Sequence, residues 1–490
     1  MGTTEHDVVI AGGGPTGLVL AAELALAGTD VAVVERRTGH EPVGSRAKGF
    51  NARTIELLDQ RGVAGRFLAE AHTHAVVPFG TARLDLGDLP SRHPYVVGIP
   101  QERVERLLGA WAADLSVPVL RGIEVTDFAQ DATGVDVRLS DGRMLRAGWL
   151  VGCDGGRSLV RKEAGIAFPG RDATRSTLIA EGVAMAEEPP VGLRHDAAGV
   201  HGIVPAGDGT FSVVVTERAV GPGTEPTPED LRSALAAAFG TDFGAGGPAW
   251  ISRFTDATRQ AAASRAGRVL IAGDAAHVHY PVGGQGLGLG VQDAVNLGWK
   301  LAAVAAGHAP EGLLDTYDAE RRPAVARVLR HTMAMGTMQR RDGHMDALVE
   351  TVSELAALPD ARRLLTGLAS GLDVRYDLGE GHPLLGRRMP DLDLETADGP
   401  VRAFALLHDA RPVLLHLGVP GRLGVAGWSD RVRLVDARHD GAWELPVLGA
   451  VAAPDAVLIR PDGHVAWVGD GPAAGLEDAL ARWFGPPAGE

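Results

Sequence analysis

The segment Gly12-Gly13-Gly14-Pro15-Thr16-Gly17 constrains the fold more than any other stretch of the chain. It stands between the apolar run Val8-Val9-Ile10 and an Ala/Leu-rich segment, and a second apolar run, Val31 to Val34, follows. That order predicts a β-α-β unit of a parallel sheet within residues 7–60. Gly12 allows a tight turn, Gly14 lets backbone approach a pyrophosphate, and Gly17 lets the helix pack close on the strand. The helix entered through Pro15 and Thr16 offers its first N–H groups and the positive end of its dipole to phosphates. Glu35 ends the second run, where a carboxylate accepts from ribose hydroxyls, and Arg36 follows it. A glycine-rich turn needed only for packing leaves Glu35 unexplained. These features imply a dinucleotide site and leave FAD and NAD as alternatives.

Composition excludes several other classes. A chain of 490 residues with 45% hydrophobic and 22% charged side chains is globular in balance and long enough for two or three domains. Its net charge of −15, with no basic block, argues against nucleic acid as a partner. One cysteine, Cys153, cannot form an internal disulfide, which fits a reducing cytoplasm. The opening residues predict no signal peptide, and no apolar run reaches the roughly 18 residues of a membrane span. A soluble, cytoplasmic protein is therefore expected, with no membrane partner. His72/His74 and His277/His279 have H-x-H spacing, but no Cys or carboxylate completes either pair, so no metal is expected. No Gly-x-Ser-x-Gly nucleophile elbow is present.

Two later motifs separate FAD from NAD. Cys153-Asp154-Gly155-Gly156 follows the apolar run Trp149-Leu150-Val151. Val269-Leu270-Ile271-Ala272-Gly273-Asp274 leads into Pro281-Val282-Gly283-Gly284-Gln285-Gly286-Leu287-Gly288. Asp274 is expected to end a buried strand and accept from the ribityl hydroxyls of a flavin. The glycines after it let backbone touch a flat ring. A helix is expected from near Leu287, with apolar Val291, Val295 and Leu301 and a polar ridge of Gln292, Asn296 and Lys300. Its N-terminus would favour the anion formed when the flavin is reduced.

With the three motifs in this order, the chain resembles the class A flavoprotein aromatic hydroxylases over about residues 5–340. The tail resembles the thioredoxin-like domain of the phenol and polyketide hydroxylase branch. The resemblance implies an α/β fold: a Rossmann-like FAD domain (1–75, 100–175 and 262–345) and an inserted mixed or antiparallel sheet that binds substrate (76–99 and 176–261). A helical linker (346–385) and a thioredoxin-like domain (386–490) would complete the chain. Within the tail, Asp462-Gly463 is expected to turn a hairpin, and an amphipathic helix is expected near Leu476–Phe484. The tail has no cysteine, so dithiol chemistry is excluded and a packing or dimerising role is expected.

The resemblance also carries residues. Arg46, Pro281 and Gly286 would be the catalytic residues and would also contact a mobile flavin. Gln101, Arg103 and Val125 would join Gly12, Gly14, Gly17, Glu35, Asp154, Gly155, Asp274, Gly283, Leu287 and Gly288 in holding FAD. The family often has Asn where this chain has Gly288, so only backbone N–H can serve there. The implied reaction takes electrons from NADPH or NADH and one oxygen atom from O2. A flavin C4a-hydroperoxide would pass that atom to an electron-rich aromatic ring. The loop pattern from Gly283 to Lys300 most resembles hydroxylases of angucycline- and anthracycline-like polyketides. A rifamycin-type, antibiotic-inactivating monooxygenase, a non-oxygenating FAD reductase and a flavin-binding partner protein are the alternatives. A homodimer is a further expectation.

Overall fold

The computed structural model describes residues 4–39, 47–469 and 473–488. The expected β-α-β unit is present as β1 (Thr4–Ala11), α1 (Pro15–Leu26) and β2 (Val31–Glu35). Next comes α2 (Ala52–Asp59), whose N-cap Asn51 accepts from the Thr54 N–H. The strands β3 (Val119–Arg121), β4 (Met144–Gly152) and β5 (Val269–Ile271) complete a parallel sheet ordered β5-β4-β1-β2-β3. Strands covered on both faces read as continuous apolar runs, and Val8, Val9, Ile10 and Val33 are all fully buried. One face packs on α1 and on the long helix α3 (Gln285–Ala305). The strands Val125–Gln130 and Val135–Leu139 fold antiparallel from β4 and cover the other.

The stretch 176–261 forms a five-stranded antiparallel sheet in the order Gly192–His195, Val200–Pro205, Phe211–Thr216, Ser176–Val183, Trp250–Thr255. Alternate residues, among them Leu178, Ala180, Val213 and Val215, bury against the helix Pro228–Phe239. The opposite set includes Thr177, Ile179, Ser252 and Phe254, which are paired across two strands. Residues 76–99 do not join this sheet, contrary to expectation. Val76–Phe79 and Ala82–Asp85 close on each other through Gly80, whose φ of +61° suits a two-residue hairpin loop. Val96–Gly98 pairs with Gly49–Phe50 and His72–His74 instead. Local pairing across short turns satisfies these backbones without the distant sheet.

After α3 comes α4 (Asp315–Met338), then helices Gly343–Ala356 and Pro359–Ser370 in the expected linker. The tail is a six-stranded sheet in the order Gly399–Arg402, Asp393–Thr396, Arg433–Arg438, Val413–His416, Ala456–Ile459, Val465–Gly469. Its only parallel pair within that order is the central one, Val413–His416 with Arg433–Arg438. The hairpin around Asp462-Gly463 and the helix Leu476–Phe484 stand where the sequence placed them. Among the described residues no helix is long and apolar enough to cross a membrane.

One sequence reading changes in kind. The polar ridge of α3 is buried: Gln292 is 7% exposed, Asn296 1% and Lys300 0%. The tail and α4 cover it with charge. Lys300 Nζ donates to Glu320 at 2.9 Å, and Arg460 clasps the same carboxylate at 2.7 and 2.8 Å. Burial pulls the Lys300 ammonium down to about 8, with Glu320 working against that shift.

Candidate flavin site

The first motif divides into glycines the fold needs and a glycine it does not. Gly12 has φ +107°, and a Cβ there would stand 2.3 Å from the Cys153 carbonyl oxygen. The turn after β1 therefore rides directly on the end of β4, beside Asp154. A Cβ on Gly17 would lie 2.0 Å from the Gly12 carbonyl oxygen, so helix and turn close on each other. Around Gly14 nothing lies within 4 Å. Gly14 is also the N-cap of α1, with no side-chain cap and no acidic residue in the first turn. Pro15 opens the helix at a position where no N–H is needed.

Glu35 closes this end. Its carboxylate accepts from Gly13 N (2.6 Å) and from the backbone N and Nε of Arg37 (2.9 Å each). Burial would raise the carboxyl, but the Arg37 hydrogen bonds and charge hold it below its usual range. A carboxylate has about four acceptor sites, so ribose hydroxyls can still be received. Arg37 also reaches Glu105 at 2.8 Å, whereas Arg36 is exposed. The residue that braces Glu35 is thus Arg37, which the sequence reading did not single out. Ile123 N donates to Glu35 O, which sets buried Val125 beside the end of β2.

At the end of β4, one Asp154 oxygen accepts from Val160 N (3.0 Å), and the other is buried with no partner. Gly155 beside it has φ +81° and open space where a Cβ would be. β5 is buried as expected but ends at Ile271. Asp274 sits three residues on, exposed, in the 3-10 turn Gly273–Ala275. That turn is clamped from two sides. Thr16 Oγ1 lies 2.5 Å from where a Gly273 Cβ would be, and Asp293 accepts from Gly273 N (3.1 Å).

The loop then exposes Pro281, Gly283 and Gly284, and α3 starts at Gln285 with Gly284 as an N-cap lacking a side-chain cap. Gly283 and Gly284 face open space, while Gly286 and Leu287 are half-buried. Gly288 has a steric reason to lack a side chain: its Cβ would stand 2.7 Å from Thr54 Oγ1 and 3.2 Å from Asn51 Oδ1. Asn51 instead donates to Gln285 Oε1 (3.1 Å), tying α2 to the first turn of α3.

An orphaned buried carboxylate oxygen, two uncapped helix N-termini and open glycines on three successive motifs fit FAD. Bare backbone would pass the pyrophosphate and ring, and carboxylates would receive the hydroxyls. Gln101 and Arg103 are engaged otherwise in this structure. Gln101 donates to Glu105 (2.8 Å) and Arg103 to the Glu70 carbonyl (3.5 Å). Arg46 lies outside the described residues. Sequence reasoning passed over Asp293 and Arg321, the pair that holds the Gly273 turn from behind. Their available signal was an acidic residue within the apolar stretch of α3. Asp274→Ala should weaken FAD binding about 10- to 100-fold, the worth of a hydrogen bond to a charged group. Flavin-fluorescence titration checks this, and unaltered affinity would remove Asp274 from the site.

Comparison with known proteins agrees with this geometry. The family model described as FAD binding domain matches residues 5–332, and that described as aromatic-ring hydroxylase, C-terminal, matches residues 382–487. The chain is 46% identical to 12-dehydrotetracycline 5-monooxygenase/anhydrotetracycline 6-monooxygenase of Streptomyces rimosus, covering 99% of each. It is 45% identical to rifampicin monooxygenase of Streptomyces venezuelae (98% of each) and 39% identical to dialkyldecalin synthase of Streptomyces rugosporus (98% of this chain, 99% of that one). Among solved structures it matches anhydrotetracycline hydroxylase from Streptomyces rimosus with a TM-score of 0.91, 45% identity and coverage of 99% and 100%. An aromatic hydroxylase from angucycline biosynthesis, CabE, gives the same TM-score at 42% identity, again covering 99% and 100%. Three glycine-bearing motifs packed on one another at the ends of β1, β4 and β5, together with this full-length likeness, make the chain a member of the FAD-dependent aromatic-ring hydroxylases.

Proposed function

We propose that this chain uses NADPH or NADH and O2 to hydroxylate a multi-ring aromatic polyketide. The observation that carries the substrate class is the full-length likeness to tetracycline and angucycline hydroxylases, supported by the face of the five-stranded sheet that bears Thr177, Ile179, Ser252 and Phe254. Phe254 on that face meets Tyr280 of the flavin loop with ring centroids 5.7 Å apart. The tetracycline and angucycline hydroxylases among the relatives support the same class.

FAD, when bound, would supply the activation of O2. The chain's own residues then have three tasks. Backbone at Gly283 and Gly284 admits the ring, and the uncapped N-terminus of α3 favours negative charge on the reduced ring. The sheet face holds the substrate against the loop and keeps water out. Tyr280 stays protonated, because burial pushes its phenol up, and its hydroxyl hydrogen-bonds Thr177. With one G-x-G-x-x-G motif on the chain, the nicotinamide visits rather than occupying its own Rossmann unit.

The test is NADPH and NADH oxidation in air with tetracyclic and angucyclic phenols and, separately, a rifamycin. Substrate-stimulated oxidation with one 18O atom from O2 in a polyketide product is the expected result. Stimulation by the rifamycin alone favours the antibiotic-inactivating reading, which the rifampicin monooxygenase relative supports. Product formation without oxygen uptake would overturn the proposal in favour of chemistry like that named for the dialkyldecalin synthase.

A further inference from the structure

A continuous buried chain of side chains runs from the tail to the Gly273–Asp274 turn. It begins at the hairpin between Ala456–Ile459 and Val465–Gly469, where Arg460, Asp462 and His464 are all buried. Arg460 holds Glu320 of α4 through both terminal nitrogens, and Asn296 of α3 donates to Asp462 at 3.1 Å. His464 stacks on Tyr376 with ring centroids 4.2 Å apart, and the Arg460 guanidinium lies 5.5 Å from the same ring. Arg321 Nη1 donates to the Tyr376 hydroxyl (3.3 Å), and Arg321 Nε donates to Asp293 Oδ1 (2.8 Å). The other Asp293 oxygen accepts from Gly273 N (3.1 Å) and pairs with His277 Nε2 (2.6 Å).

The charged links are compelled by burial, since a buried charge is costly unless it is paired: Arg460 with Glu320 and Asp462, and Arg321 with Asp293, fix one another. The stack of His464 on Tyr376 joins the two groups. Burial alone would raise the Asp293 carboxyl, yet His277 and Arg321 hold it down to about 2. Arg321 stays cationic for the same reason, with Tyr376 and Asp293 facing it. At the far end there is no slack, because Gly273 already touches Thr16 of the first motif. A displacement of the tail hairpin is therefore taken up at the turn that carries Asp274, not absorbed between them.

We infer that Tyr376 and Arg321 are positioning residues through which the C-terminal tail sets the Asp274 turn against the first glycine motif, coupling the tail's docking to FAD binding. The inference rests on the FAD assignment of that site. It gives a tail without cysteines a role in the flavin site that needs neither redox chemistry nor a second subunit.

The experiment uses the full-length chain with Tyr376→Phe, which removes only the hydroxyl, with Asp293→Asn, and with both together. FAD dissociation constants and the visible circular dichroism of bound flavin are read beside the melting temperature. Tyr376→Phe should weaken FAD three- to tenfold and alter the flavin dichroism. The double variant should lose much less affinity than the product of the two single losses. Val183→Ala, in the core of the distant five-stranded sheet, should lower the melting temperature and leave FAD affinity within twofold. An unchanged FAD constant in Tyr376→Phe overturns the inference, as does strict multiplication in the double variant or an equal FAD loss in Val183→Ala. Should Tyr376→Phe fail to fold, Arg460→Lys, which keeps the charge but loses the fork, replaces it with the same outcomes. Wild-type protein that takes up no FAD would overturn the flavin assignment as well, so the two failures are told apart.

Discussion

Gly12→Ala should give protein that is largely unfolded and colourless, whereas Gly14→Ala should give folded protein that holds FAD poorly. At Gly12 the new methyl group meets the Cys153 carbonyl oxygen at 2.3 Å, a backbone atom that cannot swing aside, and φ is +107°. Strain of that backbone kind costs about 1–3 kcal/mol, and forced overpacking adds about 1–3 kcal/mol more. Together these take a large share of the roughly 5–15 kcal/mol that keeps a domain folded. At Gly14, φ is −77° and no atom lies within 4 Å, so the FAD-free protein should keep its stability within about 0.5 kcal/mol. The methyl group then stands where pyrophosphate must approach, and FAD affinity should fall about 100-fold, roughly 2.7 kcal/mol. Thermal melts with and without added FAD separate the two outcomes. Wild-type affinity in Gly14→Ala would mean that phosphate does not pass over the start of α1.

Arg61→Leu is expected to cost about 3–5 kcal/mol, the usual result of removing one partner of a buried pair. Arg61 meets both oxygens of Glu23 at 2.7 Å and also donates to the Leu407 and Pro461 carbonyls of the tail. Without it the Glu23 carboxylate and two carbonyls are left unmatched inside the protein. Glu23 also supplies a pH signature. Burial raises its carboxyl above the ordinary value, with Arg61 opposing that shift. For an acid raised in the folded state, the unfolded chain loses its proton first. Stability is therefore greatest below pH 4.5 for this group and falls as pH rises towards the folded value. Removing Arg61 takes away the opposing charge, so the loss should be smaller near pH 5 than near pH 8. The double change Glu23→Leu/Arg61→Leu should recover much of the stability, since apolar replacement of a buried pair is often neutral. Urea unfolding at the two pH values checks both points, and a pH-independent loss would show that the tail carbonyls, not Glu23, dominate.

The local parts of the site were legible because local sterics write them. Gly12 and Gly17 stand where the turn and the helix contact each require them, a Cβ on Gly14 would meet open space, and Glu35 ends its strand as the apolar run implied. Asp274 was legible as a residue but not in its setting, since a short 3-10 turn after β5 carries no apolar period to announce it. The bracing of Glu35 by Arg37 could not be read, because it depends on where the chain bends after the strand.

Residue order alone determined the Rossmann unit, its three motifs and the cysteine-free tail with its hairpin and helix, since these depend on contacts among near neighbours. Tertiary structure decided the partners. Helical spacing showed that Gln292, Asn296 and Lys300 share one face, but periodicity is the same whether water or charge covers that face. Their cover, Glu320, Arg460 and Asp462, comes from α4 and from the tail far along the chain. Residues 76–99 likewise paired through their own turns rather than joining the distant sheet. The opening motif thus begins the FAD-binding domain, and the folded tail, through Tyr376, Arg321 and Asp293, reaches the Gly273–Ala275 turn that packs against it.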